Sequence, residues 1–223
     1  MITTHLILGL FFGVATISAQ TLSGRDAAIR PIPPNGRLMV HSHPREEVAS
    51  LETLVVMSKL IVIGTVGSAM PAVDTSPNPD APEVETHAAF AVEKVLWGTL
   101  PKGVNTIYIA QQGGKAGKWD VVPVDDPLLQ PGERFILFLA PDDRKMTFSF
   151  SSVPRYYTVG AYAGRVAIVN ETVQFPSATY ARLRGLNGTA VEPFIKAVED
   201  EAYHRIMPPR RNQVPHPGPV AKP

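Results

Sequence analysis

The chain has 223 residues, of which 44% are hydrophobic and 18% are charged, and it contains no cysteine. This composition suits one domain with a buried core and excludes a chain that is disordered throughout. The formal net charge of +1 is too small to argue for a nucleic-acid partner, and we expect none; the missing cysteines exclude disulfides, thiolate metal sites and cysteine nucleophiles.

Residues 1–19 are typical of a secretory signal peptide. The apolar stretch from Leu6 to Ala15 has the length of a signal-peptide core and is too short to cross a bilayer, and we place cleavage after Ala19. The segment departs from the pattern in having His5 where a Lys or Arg is usual, and a short buried helix is the alternative. We therefore expect an exported bacterial protein, periplasmic or secreted. Its mature part should contain no transmembrane segment, and without a cysteine it should not be a lipoprotein.

The folded domain is predicted at residues 45–206, after a linker. Residues 20–44 are polar and rich in proline, which indicates an extended connection. The domain opens with a helix predicted over residues 45–60, because apolar residues recur there at helical spacing. The β-branched run at 60–69 contains glycines and predicts a strand that bends or bulges.

The centre of the chain predicts a mainly β fold. Short apolar runs alternate with turn signals at regular spacing, which is typical of a barrel or sandwich. The predicted strands cover residues 84–98, 105–112, 119–124, 134–140 and 145–151, with two or three more inside 155–176. The run at 134–140 follows a Pro-Gly turn and is apolar on both faces, so we interpret it as a central strand that forms a hairpin with 145–151. The glycine-rich segment 113–117 predicts a flexible turn.

A C-terminal helix is predicted from Thr189 to about Ile206. Thr189 and Glu192 have the spacing of a capping box, and Pro208 cannot continue a helix. The apolar stripe of this helix consists of Phe194, Ile195, Val198 and Ala202. Residues 207–223 are basic and rich in proline, which predicts a disordered tail.

His41 and His43 are the candidate metal ligands in the sequence. Two imidazoles two residues apart can share one ion, and Glu46 or Glu47 could add a carboxylate. The alternative is a pair of solvated histidines at the end of the linker. No other cofactor is expected.

Two lysines and four aromatic residues are the candidate partner-binding residues. They are Lys115, Lys118, Trp119, Tyr156, Tyr157 and Tyr162. The lysines lie in the predicted hairpin tip at 113–119, and the aromatic residues could form a strip on one sheet face, where OB-type barrels commonly bind. The alternative is that the aromatic residues belong to the core.

The sequence gives little support for a catalytic site. The chain has no G-x-S-x-G nucleophile motif, and we interpret His87 as a structural histidine within a strand. The pairs 125–126 and 142–143 are aspartates beside prolines, and we interpret them as solvated turn formers rather than as acid/base or calcium-binding groups. We therefore expect the protein not to be an enzyme, although residues that meet only in the folded chain would leave no sequence motif.

Three segments carry a resemblance to known proteins. They read SKLIVIGTVGSA, AAFAVEKVLWGTLPKGVNTIYI and LLQPGERFILFLAP. Together they resemble a set of exported bacterial proteins of unknown function, over roughly residues 46–176. The resemblance implies an OB-type or netrin-like five-stranded β-barrel with a flanking helix, and it carries no catalytic residue. Netrin-like metalloprotease inhibitors depend on an N-terminal cysteine and disulfides, and this chain has none.

Two functions follow as expectations. The first is a non-enzymatic, exported β-barrel module that binds an envelope protein or a glycan through the hairpin tip and the aromatic strip. The second is a periplasmic metal-binding protein that uses His41 and His43.

Overall fold

In a computed structural model of the protein, the described residues are 36–40, 48–76, 82–143, 153–177 and 179–206. The predicted signal peptide and C-terminal tail, and most of the predicted linker, lie outside these ranges. The strands are β1 (Arg37–Val40), β2 (Leu60–Ala69), β3 (Val73–Asp74), β4 (Val84–Trp97), β5 (Thr106–Gln112), β6 (Gly114–Ala116), β7 (Trp119–Pro123), β8 (Arg134–Pro141), β9 (Arg155–Thr158), β10 (Arg165–Val169) and β11 (Thr172–Gln174). The helices are α1 (Leu51–Met57), α2 (Ala181–Arg184) and α3 (Val191–Ile206), and a 3-10 turn spans Ala161–Gly164.

Five of the strands close into a barrel. Strand β2 pairs antiparallel with both β4 and β8, and β4 continues the sheet to β5. Strand β9 joins the two ends, because it runs parallel to β5 and antiparallel to β8. The ring β2-β4-β5-β9-β8 confirms the predicted small β-barrel with a helix on each side of it in the chain.

The central strands β2 and β8 bury both of their faces. On β8, Leu137 and Leu139 face the barrel interior, while Ile136 and Phe138 pack outside it against residues of α1 and α3. Full burial of a large apolar side chain stabilises the fold by about 1.5–3 kcal/mol. The prediction that the run at 134–140 is a scaffold strand, apolar on both faces, is therefore confirmed.

Strand β2 bends where the sequence predicts it. Its pairing with β4 shifts register between Ile61 and Val62 and again between Ile63 and Gly64. A Cβ at Gly64 would lie 2.1 Å from the carbonyl oxygen of Ala91, so no side chain fits there. Such bulges increase strand twist and allow a five-stranded sheet to close.

Helix α1 is shorter than the predicted helix over 45–60. It begins at Leu51 because Ser50 caps it, accepting a hydrogen bond from the Thr53 amide at 3.1 Å. Its last carbonyls are covered by α3, whose Arg205 donates to the oxygens of Val55 and Ser58 at 3.2 and 3.0 Å. The two helices therefore stabilise each other over the outer face of the barrel.

Helix α3 largely agrees with its prediction. Its predicted apolar stripe is buried. It begins one residue later than the capping box implies, at Val191, because its first backbone hydrogen bond runs from the Phe194 amide to the carbonyl of Ala190. No described helix is long and apolar enough to span a membrane.

A small second sheet, ordered β1-β7-β6, packs on one end of the barrel. Strand β1 lies inside the segment predicted as a linker, and β6 lies inside the segment predicted as a flexible turn, so both predictions are wrong at these residues. Strand β6 has no apolar run and β1 has only the three apolar residues 38–40, and both become strands because β7 pairs with them, parallel to β1 and antiparallel to β6. The predicted strand at 145–151 lies outside the described residues.

The segment 155–176 forms three short strands, as predicted. The chain turns between them at Gly160, with φ 61°, and at Asn170, with φ 49°. Glycine and asparagine tolerate this left-handed conformation better than other residues, which is why the sequence marks the breaks.

Candidate functional site

A buried polar cluster lies where β4 and β8 approach each other at one end of the barrel. Glu85 and His87 are two residues apart on β4, so their side chains share a face, and Asp142 follows directly after the end of β8. One ligating atom from each of the three lies within 4.8 Å of the others. We call these residues the Glu85–His87–Asp142 cluster.

The polar atoms of the cluster lie close together. His87 Nε2 lies 3.0 Å from Glu85 Oε1, and Nη2 of Arg155 on β9 lies 4.0 Å from Asp142 Oδ2. The side chains of His87, Glu85 and Asp142 are only 2%, 9% and 1% exposed. Because burying charged groups costs free energy unless they are compensated, the fold must hold this arrangement in place.

The cluster bears on two interpretations from the sequence. His87 is buried within a strand, as expected, and its Nε2 contacts the Glu85 carboxylate. The interpretation of Asp142 and Asp126 as solvated turn formers is wrong, because both are buried. The spacing of Glu85 and His87 could have shown a shared strand face. Nothing in the sequence connects Asp142 to them.

A second buried ion pair holds the loop before β8. The Arg165 guanidinium contacts the Asp126 carboxylate, and its Nη1 donates to the carbonyl oxygen of Pro127 at 2.6 Å. Burial raises the pKa of Asp126, and this effect exceeds the opposing effect of the Arg165 charge and hydrogen bond. The Leu129 amide donates to Gln111 at 2.9 Å, so the loop is fixed to β5 as well. We interpret this pair as structural.

An open groove lies between β3 and the β6–β7 hairpin. It has a volume of about 470 Å³ and is lined by Ala72, Val73 and Asp74 on one side and by residues 116–119 on the other. Beneath it, Trp119 and Val84 belong to a small apolar cluster that joins the second sheet to the barrel. We call this feature the β3–β6 groove.

The predicted binding residues fall into two separate groups. Lys115, Lys118 and Trp119 come together at the β6–β7 hairpin, and the Lys118 ammonium lies 4.8 Å above the Trp119 ring. The three tyrosines, Tyr156, Tyr157 and Tyr162, lie on β9 and in the 3-10 turn after it. The structure therefore joins the lysines to one aromatic residue and places the other aromatics elsewhere.

Most of the predicted aromatic residues are not surface groups. Trp119 is 4% exposed, Tyr156 is 9% exposed and points into the barrel, and Tyr162 is partly buried against the helix-side core. Burial raises the pKa of Tyr156, and burial with the charges of Asp125 and Asp126 raises that of Tyr162, so both phenols are neutral at neutral pH. Only Tyr157, at 47% exposure, offers a ring to a partner.

The predicted metal ligands His41 and His43 lie outside the described residues, so that site stays a prediction. No protein-family model matches the chain, and no curated protein matches it.

Proposed function

We propose that this protein is an exported, non-enzymatic β-barrel module that binds an extended segment of a cell-envelope or extracellular protein. The observation that carries the proposal is the β3–β6 groove, which contains the hairpin residues Lys118 and Trp119 that the sequence pattern indicates. Export is supported by the signal-peptide pattern of residues 1–19, and by the resemblance of residues 46–176 to exported barrel proteins.

The edge of β6 offers backbone hydrogen-bonding groups to a partner strand. The Asp120 amide on β7 donates to Gly36 before β1, at 3.0 Å, so it points away from β6. Lys115 faces Asp120 across the antiparallel pair and therefore occupies a non-hydrogen-bonded position. Its own N–H and C=O point outward, away from β7. Among the described residues β6 pairs only with β7, so this edge suits the addition of one strand.

The two lysines of the β6–β7 hairpin favour an acidic peptide: Lys118 lines the groove together with Asp74, and Lys115 lies on the adjoining β6. The Lys115 side chain is 82% exposed, with Nζ 3.9 Å from Asp120, and Lys118 lies beside it over Trp119. A glycan would need an exposed aromatic face for stacking, but Trp119 is almost fully buried. Lys115 on β6 and Lys118 in the hairpin turn instead complement carboxylates on one face of an extended segment.

The test compares short fluorescent peptides of alternating Val and Glu with matched Val and Lys peptides, using fluorescence anisotropy. We expect the acidic peptide alone to bind. Lys115→Pro should weaken binding by at least about 10-fold, because it removes the edge N–H without removing a β6–β7 hydrogen bond. Lys115→Glu should weaken it through charge repulsion. Lys102→Glu, in the loop at the far end of the β4–β5 hairpin, is the charge-matched control and should bind as the wild type does.

Equal binding of the acidic and basic peptides would contradict the proposal, as would unchanged binding by Lys115→Pro. Binding of envelope oligosaccharides instead, retained by the Lys115 variants, would favour a glycan partner.

A further inference from the structure

We infer that the Glu85–His87–Asp142 cluster is a binding site for one divalent transition-metal ion, of which zinc is the representative probe. This site is separate from the β3–β6 groove and does not depend on the proposed function. It also differs from the pair His41 and His43, which the sequence alone suggests.

The ligand chemistry supports this inference. An imidazole nitrogen and two carboxylates form a mixed N/O donor set, which suits Zn²⁺ and neighbouring first-row ions better than Ca²⁺ or Mg²⁺, whose ligands are all oxygen. The three groups come from β4 and from the residue after β8, which the barrel holds together because β4 pairs with β5 and β9 joins β5 to β8. A metal site needs such a rigid frame.

The distances also agree with ligands that share an ion. Two ligands each about 2.1 Å from a metal lie roughly 3.0–3.4 Å apart at octahedral or tetrahedral angles. His87 Nε2 and Glu85 Oε1 are 3.0 Å apart. All the ligating atoms of the cluster lie within 4.8 Å of one another, so a side-chain adjustment of at most about 1.8 Å brings Asp142 into the set.

The charge balance favours a cation. Glu85 and Asp142 carry two negative charges when ionised, and Arg155, 4.0 Å from one oxygen of Asp142, carries one positive charge. A carboxylate has two oxygens, so Asp142 can hold Arg155 with one and a metal with the other. With neutral His87, these four groups sum to a negative charge, and low exposure strengthens the attraction for a cation.

A metal here would connect β4 to the end of β8 and stabilise the barrel. The side chains are nearly inaccessible, so the ion would be taken up during folding or through local opening, and its free energy of binding would add to that of folding. A structural role follows, because the closed surroundings leave no room for a substrate.

The experiment titrates the full-length, metal-free protein with zinc by calorimetry, in parallel with cluster and control variants. His87→Gln and Asp142→Asn keep the side-chain volume and should weaken binding by at least about 100-fold, with circular dichroism confirming that each variant is folded. The exposed His204→Gln and the double variant His41→Ala/His43→Ala are the controls, and both should bind one zinc per chain as the wild type does.

Two further readouts use the wild type, so they do not depend on the folding of a variant. Saturating zinc should raise Tm by about 5 °C, and the chelator EDTA should reverse the change. Cobalt should give a visible absorption band that one equivalent of zinc removes. Absence of zinc and cobalt binding by the wild type would overturn the inference and leave the cluster as a buried ionic network. Binding that survives in His87→Gln but disappears in the His41→Ala/His43→Ala variant would overturn it in favour of the linker histidines.

Discussion

The barrel buries apolar residues on one side and charged residues at one end, and the two regions follow different rules. Beneath α1 and α3, the outer face of β8 buries Ile136 and Phe138. Where β4, β8 and β9 meet, the chain buries Glu85, His87 and Asp142 instead. Apolar burial is non-directional, so many neighbours would serve, whereas each buried charge needs a partner at a defined distance. The first region therefore depends on the amount of apolar surface that it buries, and the second depends on which partners meet.

Removing Phe138 should have the largest effect on the apolar region. Phe138→Ala leaves a cavity between β8 and the two helices, and we expect the free energy of unfolding to fall by about 4 kcal/mol in urea titrations. Val169→Ala, at a position that is 40% exposed on β10, is the control and should change it by less than about 0.5 kcal/mol. A similar small loss for Phe138→Ala would mean that the helices do not depend on this face.

Breaking the buried Asp126–Arg165 ion pair should lower the free energy of unfolding somewhat less. The size of this loss should depend on whether the partner charge is still present. Asp126→Asn leaves the Arg165 charge buried without its counterion, so we expect a loss of about 3 kcal/mol in the same measurement. The double variant Asp126→Leu/Arg165→Met removes both charges and should recover most of that loss. Equal losses in the single and double variants would show that packing, rather than charge, stabilises the loop before β8.

The exposed ion pair between Glu93 on β4 and Arg134 on β8 should contribute least to the free energy of unfolding. Arg134 donates to Glu93 through two nitrogens at 2.8 and 3.0 Å, and Thr65 donates to it at 2.7 Å. Burial alone would raise the pKa of Glu93, but these hydrogen bonds and the Arg134 charge together lower it. The pair is 38% exposed on both sides, so solvent screening limits its contribution to less than about 1 kcal/mol.

The direction of the Glu93 pKa shift determines how this stabilisation depends on pH. Because the pKa of Glu93 is lower in the folded state, its stabilisation is present above the unfolded pKa of about 4.3 and is lost as pH falls through the folded value. Glu93→Gln should therefore be slightly less stable than the wild type at neutral pH and equally stable in strong acid. Urea titrations over a pH series test this, with the exposed Glu83→Gln as control. A difference that persists at the lowest pH would assign the effect to packing.

The barrel strands could be predicted because their signals are local. The double-faced apolar run at 134–140, the glycine-containing run at 60–69 and the breaks at Gly160 and Asn170 each show their structure within a few residues. Strand β6 and strand β1 gave no such signal, because they are strands only by virtue of pairing with β7. The length of α1 was missed for a related reason, since one hydrogen bond from Thr53 to Ser50 decides where it begins.

Some of the candidate functional residues could likewise be predicted from the sequence, and others could not. The hairpin lysines could be singled out from a glycine-rich segment, and the structure places Lys118 beside the β3–β6 groove. The aromatic strip could not be judged from the sequence, because aromatic residues in strands look alike whether they face solvent or a core. Glu85 was not a candidate ligand, and Asp142 was considered for calcium only as half of an aspartate pair, because the chain separates it from Glu85 and His87.

By itself, the sequence determined the mainly β class, most strand positions, the C-terminal helix and its buried stripe. Periodicity, turn residues and apolar runs are local properties, and secondary structure follows them. Only the tertiary structure decided that β9 closes the barrel, that Asp126 finds Arg165, and that Asp142 meets His87. Those contacts join residues far apart in the chain, and they are fixed by the packing of the whole barrel rather than by any short stretch of it.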